Sequence, residues 1–224
     1  DYPLWTAAVN LNRGRAVHYA CPPERGFIPD PDQIESLITK RTRAIVVINP
    51  NNPTGAVYPR HVLEAIAQIA EKYHLVVLAD EIYDQMTYDG AEFVPMATLV
   101  QHTLCGTLSG LSKVYRACGY RVGWAVFSGD VEHSREYLSA LELLSSLRLC
   151  SNVPGQWAVQ TALGGYQSIR ELVTPGGRLY ESRKATVVAG VSYTLQRIDI
   201  ELNPDLHGPI VKKVNDPFPQ VIVE

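Results

Sequence analysis

Two short runs of apolar, β-branched residues enclose an amphipathic helix pattern, and this arrangement limits the possible folds more than any other feature of the sequence. The runs are "RAIVVINP" (43–50) and "LVVLADEIY" (75–83). Continuous apolar runs of this length are typical of strands that are buried on both faces. Between them, "YPRHVLEAIAQIAEKYH" (58–74) places its apolar residues on one helical face. A strand–helix–strand unit predicts parallel strands covered by the helix, so we expect an α/β fold.

The same alternation continues along most of the chain. Further helices are predicted at 2–11, at 29–38 and in a block from 131 to 165, and further strands at 15–20, 102–108 and 122–129. Together these elements predict a three-layer fold with a mostly parallel sheet. After "PGGRLYESRKA" (175–185) the pattern weakens. We therefore assign residues 1–183 to a large domain and residues 184–224 to an unmatched tail or a partial small domain.

Composition excludes several classes of protein. The 224 residues carry a net charge of −3, which argues against binding nucleic acid or an anionic membrane. No apolar run approaches the ~20 residues that span a bilayer, and "DYPLWTAAVN" does not resemble a signal peptide. The scattered cysteines form no ligand spacing with the histidines, so we expect reduced, mostly buried thiols, no metal site and a cytoplasmic location. The four cysteines are Cys21, Cys105, Cys118 and Cys150.

Three polar stretches follow three of the predicted strands. They are "NPNNPTG" (49–55), "DEIYD" (80–84) and "SGLSK" (109–113). In open α/β sheets, ligands bind outside the carboxyl ends of the strands. We therefore expect these stretches to meet at one ligand site.

Lys113 and Arg121 are the first candidate residues. We expect the Lys113 amine to lose hydration beside a buried strand, which favours the neutral amine that forms a Schiff base with an aldehyde. Arg121 carries a fork of donors suited to a phosphate, and Ser112 adds a hydroxyl. The pair predicts an aldehyde ligand that carries a phosphate. Taken alone, however, a surface lysine and arginine beside a turn are the more common explanation.

Asp80, Tyr83 and Asn52 complete the set. A partly buried carboxylate at a strand end needs a cationic partner, and a protonated pyridine nitrogen is one such partner. Tyr83 and Asn52 can both hydrogen-bond a phenolate oxygen of the same ring. Each motif alone is also consistent with an ordinary capping aspartate or a plain turn. Their order and spacing, with each motif after a buried strand, favour one site.

The combination N-P-x-N-P-T-G, D-E-x-Y and S-K-x7-R resembles the fold-type-I, pyridoxal-phosphate-dependent aminotransferases of class I/II. The segments "INPNNPTGAVY", "ADEIYD", "GLSKVYRACGYRVGW" and "LRLCSNVPGQWAVQTALGGYQSI" are most similar to bacterial alanine-type aminotransferases. The resemblance extends from Tyr2 to about Arg183. It implies the large domain of this fold, followed by an incomplete small domain.

The resemblance implies a role for each candidate. Lys113 would hold pyridoxal 5'-phosphate covalently and later move the substrate proton. Asp80 would pair with the pyridine nitrogen, and Tyr83 and Asn52 would bond the ring hydroxyl. Arg121 would bind the phosphate, with Ser112 as a weaker candidate.

The sequence also departs from the family pattern. Many relatives carry a hydroxyl residue three positions before the lysine; here that position is Gly110, so this contact is lost or moves to Ser109. Relatives extend upstream of Asp1, where they supply a phosphate-binding glycine turn and an aromatic residue that stacks on the ring. Downstream, Arg197 does not match the arginine that binds the substrate carboxylate. We therefore expect a truncated aminotransferase with an incomplete substrate clamp.

The implied reaction is amino-group transfer between an L-amino acid, with alanine expected, and a 2-oxo acid, with 2-oxoglutarate expected. β-Elimination, including C–S lyase chemistry, uses the same cofactor residues and stays open, as does an inactive aminotransferase fragment. The family usually forms homodimers. Leucines at helical spacing fit either the core or an interface, and we favour the core; they are Leu138, Leu141, Leu144 and Leu147.

Overall fold

A computed structural model describes residues 2–150, 152–165 and 168–183, together with the backbone of residues 220–223. Of the predicted tail (184–224), residues 184–219, which include Arg197, and residue 224 lie outside the described residues. The described helices include α1 (Pro3–Leu11), α2 (Pro31–Ser36), α3 (Arg60–Lys72), α4 (Arg135–Ser146), α5 (Val153–Leu163) and α6 (Arg170–Val173), and residues 178–183 are helical as well. The strands are β1 (Ala16–Tyr19), β2 (Ala44–Ile48), β3 (Val76–Asp80), β4 (Leu104–Gly110), β5 (Gly123–Gly129) and β6 (Gln220–Val223).

These strands form one sheet in the order β1-β6-β2-β3-β4-β5. The central strands β2, β3 and β4 run parallel, as the strand–helix–strand pattern predicts. β5 is antiparallel to β4, and β6 is antiparallel to both β1 and β2. The predicted α/β fold with a mostly parallel sheet is therefore confirmed, with two antiparallel strands added to it.

β2 is buried along its whole length, so apolar side chains pack on both faces of the sheet. Ile45 and Val47 pack into one cluster with the apolar face of α3. Val46 and Ile48 point to the opposite face of the sheet, where they pack against Val9 of α1. Alternate residues of a strand face opposite sides of the sheet, so this single strand joins the three layers.

Two sequence predictions need correction in detail. The predicted helical block from 131 to 165 is divided into α4 and α5 by the segment 147–152. On α4, Leu138 and Leu141 are partly buried, but Leu144 and Leu147 are exposed. A core role therefore fits only the first two of the four leucines.

The cysteines are also more exposed than predicted. Cys21 and Cys105 are buried, whereas Cys118 and Cys150 are exposed. All four are free thiols, as predicted. Burial therefore applies to half of them rather than to most.

Candidate active site

The six candidate residues lie around one cavity. Its volume is about 280 Å³, and its lining includes Asn52, Asp80, Tyr83, Ser112, Lys113 and Arg121. The cavity opens at the carboxyl ends of β2, β3 and β4, where Ile48 and Leu108 complete its floor. The geometry thus brings together the three polar stretches that follow these strands in the sequence.

The turn after β2 is built around two buried asparagines. The Asn49 Oδ1 accepts a hydrogen bond from the Tyr58 backbone N–H at 2.8 Å. Asn51 donates through Nδ2 to the Tyr58 hydroxyl at 3.2 Å and accepts from the Thr54 hydroxyl at 2.8 Å. Asn49 and Asn51 are buried by these contacts, whereas Asn52 lines the cavity. Both X-Pro bonds of the turn, Asn49–Pro50 and Asn52–Pro53, are cis.

Asp80 ends β3 at the centre of the sheet. It pairs in register with Ile48 on one side and Leu108 on the other. Its Oδ2 accepts a hydrogen bond from the Trp5 indole Nε1 at 2.9 Å. The side chain is half-buried. A carboxylate in this position is held between strands and offers its remaining lone pairs to the cavity.

Lys113 and Tyr83 meet across the cavity. The Lys113 Nζ lies 5.6 Å from the centroid of the Tyr83 ring, within the range of a cation–π contact. The Lys113 carbonyl accepts the Arg116 N–H at 3.0 Å, which closes the turn that carries the lysine. Lys113 is exposed, so the predicted loss of hydration is not present in this structure. Its amine is accessible to a ligand from solvent.

Arg121 approaches the cavity from the start of β5. Its backbone is in the left-handed region, with φ 51°, and its Nη1 donates to the Cys118 carbonyl at 2.8 Å. The side chain is exposed, and the remaining guanidinium donors are available to an anion.

Gly110 is where the sequence departs from the family pattern, and the structure gives the reason. A Cβ at this position would lie 2.8 Å from the Val122 carbonyl oxygen and 3.0 Å from the Gly123 Cα. Both neighbours are backbone atoms that cannot move aside cheaply. Ser109 and Ser112, by contrast, do line the cavity.

Sequence reasoning missed two aromatic residues of this site. Tyr2 lines the cavity, although we expected the stacking aromatic residue upstream of Asp1. Trp5 binds Asp80 across 75 positions of sequence. Tyr2 is the residue before α1, and Trp5 lies in the first turn of this helix. Their spacing of three residues places them on one side of that turn.

Glu81 is the third residue that the motifs did not single out. It is buried and accepts the Met96 backbone N–H through Oε1 at 2.8 Å. Burial, and then the neighbouring Asp84 and Asp80, raise the pKa of this carboxyl to about 7, against the opposing effect of the Met96 hydrogen bond. Its charge therefore changes near neutral pH, directly beside Asp80.

No cluster of three histidine, cysteine, aspartate or glutamate side chains suited to a metal is present among the described residues. No described helix is long and apolar enough to cross a membrane.

The fold and the cavity are those of an α/β protein with a small-molecule site at its strand ends. The chain belongs to the family "Aminotransferase class I and II", whose model matches residues 1–194. Its matched region thus includes every residue of the cavity.

Curated relatives agree with this family. The glutamate-pyruvate aminotransferase AlaA of Escherichia coli is 56% identical over 183 residues, which are 82% of this chain and 45% of that protein. An alanine aminotransferase of Mycobacterium tuberculosis is 48% identical over 215 residues, covering 90% of this chain and 50% of that protein. The chain spans about half the length of the curated relatives it matches.

Solved structures agree with the fold. An Escherichia coli aminotransferase superimposes with a TM-score of 0.79 at 56% identity, covering 82% of this chain and 46% of that one. An alanine aminotransferase from Pyrococcus furiosus gives a TM-score of 0.71 at 42% identity, covering 74% of this chain and 42% of that one. The predicted resemblance to alanine-type aminotransferases is confirmed.

Proposed function

We propose that this chain carries the cofactor site of a pyridoxal-phosphate-dependent aminotransferase that moves an amino group between alanine and 2-oxoglutarate. The observation that carries the proposal is the convergence of Lys113, Asp80 and Arg121 on one cavity. The names of the relatives support alanine as the amino acid. The resemblance also predicts a homodimer in the cytoplasm, and both stay predictions.

The donor set fits the cofactor group by group. An amine suits its aldehyde, a guanidinium with the hydroxyls of Ser109 and Ser112 suits its phosphate, and a carboxylate suits a protonated pyridine nitrogen. Tyr83 and Asn52 offer a phenol and an amide to the ring oxygen. All of these groups line the same cavity of about 280 Å³. The residues present therefore match each functional group of pyridoxal phosphate.

When bound, the cofactor supplies an electron sink for the charge that develops at the substrate α-carbon. The chain's own residues do the rest. Lys113 Nζ would hold the cofactor and would accept the proton that leaves the substrate α-carbon. The Asp80 carboxylate would stabilise positive charge at the ring nitrogen. Arg121 would hold the phosphate and so keep the reacting carbon within reach of Lys113.

A β-elimination reaction is the second candidate, because it would use the same cofactor residues. No described side chain favours elimination over transfer, whereas the relatives are named for transfer. The products separate the two reactions. Transfer from alanine gives pyruvate and a new amino acid, whereas elimination needs an amino acid with a leaving group on its β-carbon and releases that group, ammonia and an oxo acid.

The first test is covalent labelling of the purified 224-residue chain. Pyridoxal phosphate is added, the adduct is reduced with borohydride, and the modified peptide is identified by mass spectrometry. We expect the label on Lys113 and none in Lys113→Ala. Lys72→Ala is the matched control, since Lys72 is an exposed lysine on α3 that pairs with Glu35. Labelling spread over several lysines, or unchanged in Lys113→Ala, would contradict the proposal.

A further inference from the structure

Trp5 lies in the first turn of α1 and contacts the candidate site through Asp80. Its indole Nε1 donates to Asp80 Oδ2 at 2.9 Å, and both side chains are half-buried. The other carboxylate oxygen, Oδ1, accepts no hydrogen bond from the described residues. One oxygen of Asp80 is thus held by the protein and the other is left for a ligand.

We propose that Trp5 is a positioning residue for Asp80: its indole N–H fixes the carboxylate so that the free oxygen can serve a cationic ring nitrogen. This inference rests on the proposed function, because it needs a cofactor in the cavity. It deepens that function by adding a residue that touches neither substrate nor cofactor in this role.

The chemistry of the indole suits this task. An indole N–H is a donor only, so it neither removes a proton from the carboxylate nor competes for a cation. A hydrogen bond to an ionised acceptor is roughly twice as strong as one between neutral groups. The contact therefore fixes the orientation of the Asp80 carboxylate, whose other oxygen stays available to a protonated pyridine.

The surroundings of Trp5 show that its ring and its N–H have separable roles. The ring packs beside the cluster formed by Val9, Val46 and Ile48. The same ring lines an apolar cavity of about 660 Å³ between the sheet and α4, together with Leu78 and Leu138. Only the Nε1 reaches the carboxylate. Removing the N–H while keeping a ring should consequently leave the packing and change the site.

The test is a double-mutant cycle on the affinity for pyridoxal phosphate. Losing a hydrogen bond to a charged group should weaken binding roughly ten-fold in Trp5→Phe. In an Asp80→Ala background the acceptor is absent, so the same change should cost less than about two-fold. Trp157→Phe is the matched control because Trp157 is 68% exposed. Its affinity should equal that of the unsubstituted chain.

A second readout needs no cofactor. The chain has three tryptophans, so its ¹H–¹⁵N spectrum should show three indole signals. The signal that disappears in Trp5→Phe should move in Asp80→Asn, whereas the Trp157 signal should not. If Trp5→Phe fails to fold, benzothienylalanine at position 5 keeps the bicyclic shape without an N–H and replaces it in the cycle.

The outcomes separate the inference from the proposed function. Equal affinity in Trp5→Phe and the unsubstituted chain overturns the inference and leaves the cofactor site standing. An equal loss in both backgrounds also overturns it, because Trp5 would then act through packing alone. If the unsubstituted chain binds no pyridoxal phosphate, the proposed function and the inference both fail.

Discussion

Gly110 pairs with Gly123 where β4 meets β5, directly before the turn that carries Lys113. A Cβ on either residue would meet backbone atoms, with the Val122 and Ser109 carbonyl oxygens at 2.8 and 2.9 Å. We predict that Gly110→Ala lowers the free energy of unfolding by about 1–3 kcal/mol, the usual cost of overpacking. Urea denaturation measures this. Gly119→Ala is the control, because nothing lies within 4 Å of its Cβ position. Equal midpoints for the two variants would contradict the crowding argument.

Glu81 predicts a pH dependence of stability. Because burial raises its pKa in the folded chain to about 7, the folded state binds a proton that the unfolded state, at an ordinary value of 4.5, releases. Stability is therefore complete below pH 4.5 and falls as the pH rises through 7. At about 1.4 kcal/mol per pKa unit, the loss between pH 5 and pH 8 is about 2–3 kcal/mol.

Glu81→Gln should remove this loss while keeping an oxygen for the Met96 N–H. The measurement is the urea-unfolding free energy of both chains at pH 5 and pH 8. We expect the variant to gain stability relative to the unsubstituted chain at pH 8 but little at pH 5. The exposed Glu136 on α4 offers a control substitution, Glu136→Gln. A gain that is the same at both pH values would assign the effect to packing instead.

Individual site residues can be predicted from the sequence when they belong to a recognisable motif. Asp80 ends β3, and Lys113 and Arg121 lie in the segment between β4 and β5, so their places in the motifs predict that they meet at one edge of the sheet. Trp5 could not be found in this way, because a hydrogen bond across 75 positions leaves no local pattern. The crowding at Gly110 could not be predicted either, because the atoms that cause it belong to Val122 and Gly123 and not to β4.

The turn between β2 and α3 is stabilised by a hydrogen bond to the Tyr58 hydroxyl. This buried hydroxyl accepts from Asn51 Nδ2 at 3.2 Å and contacts Cys21 Sγ at 3.6 Å. Tyr58→Phe would leave the buried Asn51 amide with only a 3.4 Å contact to the Ile48 carbonyl. We predict a loss of about 1–3 kcal/mol in unfolding free energy.

The same variant should also weaken pyridoxal phosphate binding, because Asn52 depends on the position of Asn51. Fluorescence titration with the cofactor measures the affinity. Tyr137→Phe, a half-exposed tyrosine on α4, controls for the loss of a phenol elsewhere. If Tyr58→Phe destabilises the chain without changing cofactor affinity, the turn does not depend on this hydroxyl for its site geometry.

Whole elements could be predicted where their own periodicity fixes them. β2 and β3 are continuous apolar runs and α3 has one apolar face, so each of these elements can be predicted from its own sequence. The antiparallel direction of β5 depends on its pairing with β4, and the position of β6 depends on a gap between β1 and β2. The break between α4 and α5 falls in "LRLCSN", which contains no proline or glycine to mark it.

In the folded molecule, the site joins three strands, the three loops that follow them and the first helix. Asn52 follows β2, Asp80 ends β3, and Lys113 follows β4, while Trp5 reaches Asp80 from α1. A ligand that contacts all of these elements binds the folded chain and not the unfolded one. Binding and folding are then thermodynamically linked, so the cofactor should stabilise the whole sheet.

We therefore predict that pyridoxal phosphate at a hundredfold excess over its Kd stabilises the chain by about 2.7 kcal/mol. For a domain of this size that corresponds to a rise in Tm of roughly 5–10 °C. Differential scanning calorimetry with and without cofactor measures it, and removal of the cofactor by dialysis after transamination should reverse it. Lys113→Ala should lose most of the rise, because the covalent attachment is gone, whereas Lys72→Ala should keep it. A Tm that responds equally in both lysine variants would mean that the cofactor stabilises the chain through some surface other than this cavity.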